Sequence, residues 1–207
     1  MAFVNQLGRE LTLKIAYHGP GLGGKTTNLR WLHQTLPADQ RGELLTLDTA
    51  TERTLFFDFL LVRLGEVAGY RVNLQLYTVP GQLYYDASRK LILKGVDAVV
   101  LVADSTAERM AENEESRKLL VSDLTAIGIR PEEVPLVVQY NKRDLPDAAP
   151  LELMQSRLNP TGQPHFQAVA RHGVGVMPTL RMVTALAMRG LLPPEGAAPG
   201  APRVVTA

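Results

Sequence analysis

The sequence predicts an α/β fold, a mostly parallel sheet flanked by helices, on three observations. Strand-like and helix-like segments alternate along the chain, which is the order that a parallel sheet with helical crossovers requires. The run Ala98-Val99-Val100-Leu101-Val102-Ala103 is apolar without alternation, which suits a central strand covered by helices on both faces. A glycine cluster, Gly19 to Gly24, stands between the first strand pattern and the first helix pattern. That is the carboxyl end of a strand, where such sheets bind ligands.

The elements follow in order. Leu11, Leu13 and Ile15 alternate with Thr12 and Lys14 and predict a strand that runs through His18 into the glycines. Lys25 to Thr35 predicts a helix that ends near Pro37. Glu43 to Leu47 predicts a short strand. Leu55 to Leu60 and Arg71 to Tyr77 predict a hairpin turning near Gly65 to Gly69. Val96 to Asp104 holds the central strand. Ser105 and Glu108 have capping-box spacing and open a predicted helix to about Ile127, stopped by Gly128 and Pro131. Pro135 to Tyr140 predicts a buried strand, and Pro150 fits the first helical position before Leu151 to Leu158. His165 to Val169 predicts a strand and Val176 to Leu191 a last helix. Arg89, Lys90 and Lys94 fall on a predicted helix and read as a solvated face. The aromatics Phe56, Phe57, Phe59, Tyr84 and Tyr85 read as core by default, or as an exposed partner surface, since period-2 alternation buries only part of the phenylalanines. Residues 1–192 read as one domain. Residues 193–207, mostly Pro, Gly and Ala, read as a flexible tail with little to bury.

Composition excludes several classes. The 207 residues are 45% hydrophobic and 21% charged, enough for a packed core. Twenty-two Lys and Arg against 21 Asp and Glu leave a net charge of +1, so bulk charge argues for no nucleic-acid partner. The absence of cysteine removes disulfides, thiolate metal sites, catalytic thiols, prenylation and palmitoylation together. Ala2 removes N-myristoylation. Met1 to Gly8 does not read as a signal peptide, and the most apolar window, Val96 to Ala103, is far short of a membrane helix. A soluble cytoplasmic protein without a membrane anchor is the expectation. His18, His33, His165 and His172 lack metal-ligand spacing and read as structural or surface residues.

Gly19-Pro20-Gly21-Leu22-Gly23-Gly24-Lys25-Thr26, followed by Thr27, matches the G-x-x-x-x-G-K-[ST] phosphate loop. Glycines let successive backbone N–H groups converge on phosphate oxygens. The helix N-terminus behind them adds partial positive charge. Lys25 can reach the β- and γ-phosphates, and the Thr26 hydroxyl can ligate Mg²⁺. Strand before and helix after supply the required context.

Asn141-Lys142-Arg143-Asp144 follows the strand Pro135 to Tyr140 and carries the N-K-x-D pattern. Guanine offers two donors, N1–H and the exocyclic amine, and the Asp144 carboxylate accepts both. Adenine has no hydrogen on N1, so a desolvated Asp144 would be left partly unpaired, at a cost of ~1–3 kcal/mol or more. Asn141 would tie this loop to the phosphate loop, and Lys142 would lay its stem along one face of the base.

These motifs, with Pro80-Gly81-Gln82 between them, resemble those of Ras-like small GTPases. Asn141 to Ala148 and Asp104-Ser105 are nearest the Arf-like branch. Longer runs are similar to the MglA family, the bacterial Ras-like GTPases of cell polarity. They are Gly19 to Leu22, Thr51-Glu52-Arg53-Thr54-Leu55-Phe56-Phe57-Asp58-Phe59-Leu60, Leu76 to Gln82, and Ala87 to Asp97. The likeness covers about residues 3 to 191. It implies a P-loop fold that binds GTP and GDP with Mg²⁺ and hydrolyses GTP, slowly without an activating protein. It also implies a switch in cell polarity or motility. Gln82 would orient the attacking water, and the Gly81 N–H would bond the γ-phosphate. Thr54 would ligate Mg²⁺ and sense that phosphate, and Arg53 would be an arginine finger in cis. The implied partners are a Roadblock/LC7 (MglB-like) activating protein and polar effectors, for a chain that is a monomer alone.

The chain departs from the wider family in two places. The aspartate of D-x-x-G is Thr78 here, a residue the MglA likeness implies is usual, and it leaves tight Mg²⁺ binding open. The S-A-K base loop is Val169-Ala170-Arg171, in which the Ala170 N–H can still reach the guanine carbonyl. Two rival readings stand beside this one. One is a module that holds GTP without hydrolysing it. The other is an ATP-using P-loop enzyme with Asp104 on Mg²⁺, against which Asn141 to Asp144 argue. Asp144→Asn is expected to weaken guanine binding by ~1–3 kcal/mol and to favour xanthine nucleotides, whose extra acceptor an asparagine amide can meet. Parallel affinities for GTP and xanthosine triphosphate check this, and an unchanged GTP affinity would remove Asp144 from the base site.

Overall fold

The computed structural model describes residues 3–5, 8–47, 57–67, 69–81 and 85–189. Its elements are β1 (Phe3–Asn5), β2 (Glu10–His18), α1 (Lys25–Thr35), β3 (Arg41–Leu47), β4 (Phe57–Val67), β5 (Tyr70–Thr78) and α2 (Asp86–Leu93). Then come β6 (Ala98–Asp104), α3 (Met110–Ala126), β7 (Leu136–Asn141), α4 (Leu151–Leu158), β8 (His165–Gln167) and α5 (Val176–Met188). The eight strands form one sheet in the order β3-β4-β5-β2-β6-β7-β8, with β1 beside β2 off this path. From β5 to β8 every neighbour is parallel. β3 and β4 extend that edge antiparallel. The mostly parallel sheet predicted from the sequence is the observed one.

Side-chain alternation on β2 assigns the two faces. Leu11, Leu13, Ile15 and Tyr17 pack with Leu29 and Leu32 of α1 and with Val176, Leu180 and Val183 of α5. Ala16 faces the other way, toward Ile92 and Leu93 of α2 and Leu120 and Leu124 of α3. Met154 and Leu158 of α4 cover Val138 and Tyr140 of β7. All seven residues of β6 are buried, as an apolar run between two helical layers must be. β2 lies at the centre between β5 and β6, so its carboxyl end opens a crevice between chain segments leaving on opposite sides. No helix among the described residues is long and apolar enough to cross a membrane.

Several boundaries move, each for a local reason. β1 has only three residues, too few for any pattern. β4 runs through Gly65, which is not the turn: the register shifts between Arg63 and Gly65, and Gly65 takes φ 86° in the bulge. The turn lies closer to Gly69, at φ 80°. The capping box of Ser105 and Glu108 is not made. Asp104 accepts from the Thr106 amide and hydroxyl, and the Ser105 hydroxyl is buried with no partner. A 3-10 turn, Ala107–Arg109, therefore precedes α3, which starts at Met110. Its other end closes as a Schellman motif, with Ile129 N donating to Leu124 O and Gly128 N to Thr125 O at φ 78°. Pro150 is the cap residue of α4 with extended ψ, one position before the first helical residue. α5 ends at Met188.

Arg89 is a further correction. It is not on a solvated face: at 3% exposure it pairs with the equally buried Asp123 of α3 at 2.7 Å and with Asp86 at 3.1 Å. A buried arginine needs such partners, since its charge cannot be shed by deprotonation. The pair fixes α2 against α3. Residues 190–207, including the predicted tail and the domain boundary at 192, lie outside the described residues.

Candidate functional site

The phosphate loop is built from backbone that tolerates few side chains. Gly19 turns the chain at φ 151°, where a Cβ would lie 2.1 Å from the Val102 carbonyl oxygen. Gly24 caps α1 at φ 101°, and its Cβ would lie 2.1 Å from Asn141 Nδ2. Gly23 N donates to Pro20 O and closes the loop. Leu22 takes the left-handed conformation at φ 61° and is 88% exposed. Gly21 has open space where a Cβ would go and lines a cavity of about 460 Å³ with Lys25, Thr26, Asp58 and Gly81.

Lys25 is buried and donates to the Gly19 and Pro20 carbonyls at 2.8 and 2.6 Å. Burial pushes its ammonium down to about 8, and the Asp58 charge only partly offsets this. A cation desolvated in this way is complementary to an anion that can replace the lost water. His18, just before the loop, is buried with Nδ1 3.2 Å from Ser116 Oγ and Nε2 without a partner. Burial, with Lys25 and Arg89 nearby, pushes it down to about 3, so it stays neutral. Arg109, which carried no signal in the sequence, braces the loop by donating to the Gly21 carbonyl at 2.8 Å.

The base loop follows β7. Asn141 Nδ2 donates to Gly23 O at 2.9 Å, the tie expected between the two loops. Its Oδ1 accepts from the Ala170 N–H at 2.9 Å. The Ala170 amide, expected to be open to the guanine carbonyl, is thus bonded to Asn141 in this structure. Lys142 sits at φ 65° and pairs with Asp104. Burial opposes the Asp104 charge, but the Lys142 ammonium and the Thr106 hydroxyl outweigh it and hold the carboxyl below its ordinary value. Asp104 therefore serves the base loop, which weakens the rival in which it holds Mg²⁺. Asp144 pairs with Arg171. Lys142, Asp144 and Arg171 line a cavity of about 210 Å³. This cavity shares Leu22, Gly24 and Thr27 with the larger one, so the two are halves of one elongated cleft.

Of the predicted site residues, Gly21, Leu22, Gly24, Lys25, Thr26, Thr27, Gly81, Asn141, Lys142 and Asp144 line this cleft. Gly19 and Gly23 lie behind it, bonded to Lys25 and Asn141, and Ala170 is buried with its amide on Asn141. Gly81 lies hard against the phosphate loop, where a Cβ would be 2.4 Å from Gly21 N. Arg53, Thr54 and Gln82 lie outside the described residues. Phe57 and Phe59 are half-buried against Tyr77, at ring distances of 5.8 and 4.9 Å. The residue between them, Asp58, is the buried one and faces the cleft. Asp58 carries no motif in the sequence, and its aromatic neighbours dominate the strand pattern; the pairing of β4 with β5 is what sets it in register with Thr78.

The fold, the phosphate loop and the base loop together define a P-loop protein of the Ras-like small-GTPase class. No family model matches the chain. It is 52% identical over 191 residues to the Mutual gliding-motility protein MglA of Myxococcus xanthus (strain DK1622), covering 92% of this chain and 98% of that one. The chain belongs to the MglA family.

The glycines differ in what they tolerate. Gly24→Ala is expected to destabilise the protein by ~1–3 kcal/mol, through positive φ and collision with Asn141. Gly21→Ala, with free space around it, is expected to stay within ~0.5 kcal/mol of the parent. Urea denaturation of both variants measures the contrast.

Proposed function

We propose that the protein is a small GTPase that binds GTP and GDP with Mg²⁺ and hydrolyses GTP to GDP, acting as a molecular switch in motility or cell polarity. The observation that carries this reading is the joining of phosphate loop and base loop across one cleft by the single side chain Asn141. A phosphate loop alone serves many nucleotides. An Asp144 carboxylate at the far end of the same cleft favours guanine, for the donor-count reason given above. The relative's name, a gliding-motility protein, supports a role in motility.

The residues fit a hard cation. Thr26 presents a hydroxyl whose proton is already directed to Asp58 at 2.6 Å, which leaves oxygen lone pairs to ligate. Thr26 and Thr54 would hold Mg²⁺. When bound, the ion neutralises phosphate charge. Lys25 gives up carbonyl contacts for the β- and γ-phosphates. The Gly81 N–H donates to the γ-phosphate, and Gln82 orients a water whose oxygen bonds to phosphorus as the bond to the GDP oxygen breaks. Arg53 stabilises charge on the leaving oxygens. The γ-phosphate orders the two switch segments and its departure releases them. Since Arg53 comes in cis, a Roadblock/LC7 (MglB-like) activator need only hold these segments in place. Polar effector proteins would read the ordered state.

Identifying by chromatography the nucleotide that copurifies with the chain, followed by multiple-turnover GTP hydrolysis, tests the reading. Bound ATP, or GTP held without turnover, would overturn it. Arg53→Ala is expected to keep GTP affinity and to lose ~10³-fold or more in hydrolysis, with or without activator. Single-turnover rates measure this.

A second expectation concerns pH. In the free protein Lys25 is neutral above about 8, whereas bound phosphates require the ammonium. Nucleotide affinity should therefore fall as pH rises through 8, by at most ~tenfold per unit. Calorimetry in buffers of different ionisation enthalpy should show proton uptake on binding above that pH.

A further inference from the structure

Strand pairing brings a carboxylate to the place where the loop sequence lacks one. Phe59 pairs with Tyr77 across β4 and β5, so the next step along both strands sets Asp58 opposite Thr78. Thr46 pairs with Asp58 across β3 and β4. Asp58 is thus the middle of a cross-strand row, 4% exposed, and lines the cavity beside the phosphate loop. Three hydroxyls donate to it: Thr26 at 2.6 Å and Thr78 at 3.0 Å to Oδ2, and Thr46 at 2.9 Å to Oδ1. Thr78 in turn accepts from the Asp58 amide at 2.7 Å.

A buried carboxylate is costly unless its charge does something that neutral isosteres cannot. Closing a strand row does not need one. Orienting a metal ligand does. A hydroxyl that ligates a cation through its oxygen must send its proton elsewhere, and an anionic acceptor makes that oxygen more electron-rich. Mg²⁺ also keeps several waters, which need acceptors of their own. Asp58 touches Thr26 and lines the same cavity. Thr78 is neutral, with its hydroxyl already bonded to Asp58.

We propose that Asp58 is the positioning residue of the Mg²⁺ site, accepting the Thr26 proton and the hydrogen bonds of the ion's retained water in place of the carboxylate missing at Thr78. The proposal rests on the nucleotide-and-Mg²⁺ reading above. In this arrangement the anionic acceptor stands on β4, one strand across from Thr78 on β5.

The test is release of a fluorescent GDP analogue from the full chain, followed as Mg²⁺ is raised from excess chelator to millimolar. Asp58→Asn is expected to raise the Mg²⁺ concentration that half-slows release by ~10–100-fold, each midpoint being read against that variant's own release rate in chelator. Asp58→Asn with Thr78→Asp returns the carboxylate from the other strand and is expected to bring the midpoint back. Thr78→Asp alone crowds two carboxylates into one place and is expected to raise the midpoint. An unshifted midpoint in Asp58→Asn, or no recovery in the double variant, overturns the proposal. If Asp58→Asn fails to hold nucleotide even in chelator, Thr78→Asp alone decides, and a lowered midpoint there is the overturning result. Failure of the parent chain to hold guanine nucleotide at all would overturn the functional reading and this inference with it.

Discussion

Three loops from distant parts of the chain meet on one amide side chain. Asn141 donates to the phosphate loop at Gly23 and accepts from the Ala170 amide, which belongs to the loop after β8. Both bonds are buried, so neither can be exchanged for water without leaving a donor or acceptor unpaired. The packing around them allows nothing else: a Cβ on Gly24 would sit on Asn141 Nδ2. The relative position of phosphate and base subsites, and hence the length of the cleft, follows from that side chain.

The electrostatics of the cleft follow from what is buried in it. Lys25 has lost water and, among the described residues, donates to two carbonyls, with the Asp58 charge offsetting its burial only in part. Asp58 has lost water and, among the described residues, its carboxylate accepts from three hydroxyls. Each is costly in the protein alone and complementary to a ligand carrying phosphates and a divalent ion. The other charges around the cleft are paired in the protein alone: Arg89 with Asp123, and the base-loop residues Lys142 with Asp104 and Asp144 with Arg171.

Much of this was legible in the residues because it is local. The helix Lys25–Thr35 appears over the predicted range, since the glycines before it and Leu36-Pro37 after it act within one turn. Strand β6 was readable from apolar continuity alone. The misplaced features are those where a side chain had two possible partners. Ser105 could cap a helix, but Thr106 and Asp104 bond to each other first. Arg89 reads as solvated until α3 is laid beside it, because Asp123 is 34 residues away in sequence.

By itself the sequence determined the fold class, the phosphate loop and the base loop. Each depends on residues close in the chain: glycines that turn backbone toward an anion, a lysine behind them, and a polar turn after an apolar strand. Tertiary structure alone decided which charges are paired and which face the cleft. Asp58 is an acidic residue in an aromatic strand until the register of β4 with β3 and β5 sets it between Thr46 and Thr78 and under Thr26. Register is a long-range property, and a shift of one residue would have turned Asp58 outward and the phenylalanines in.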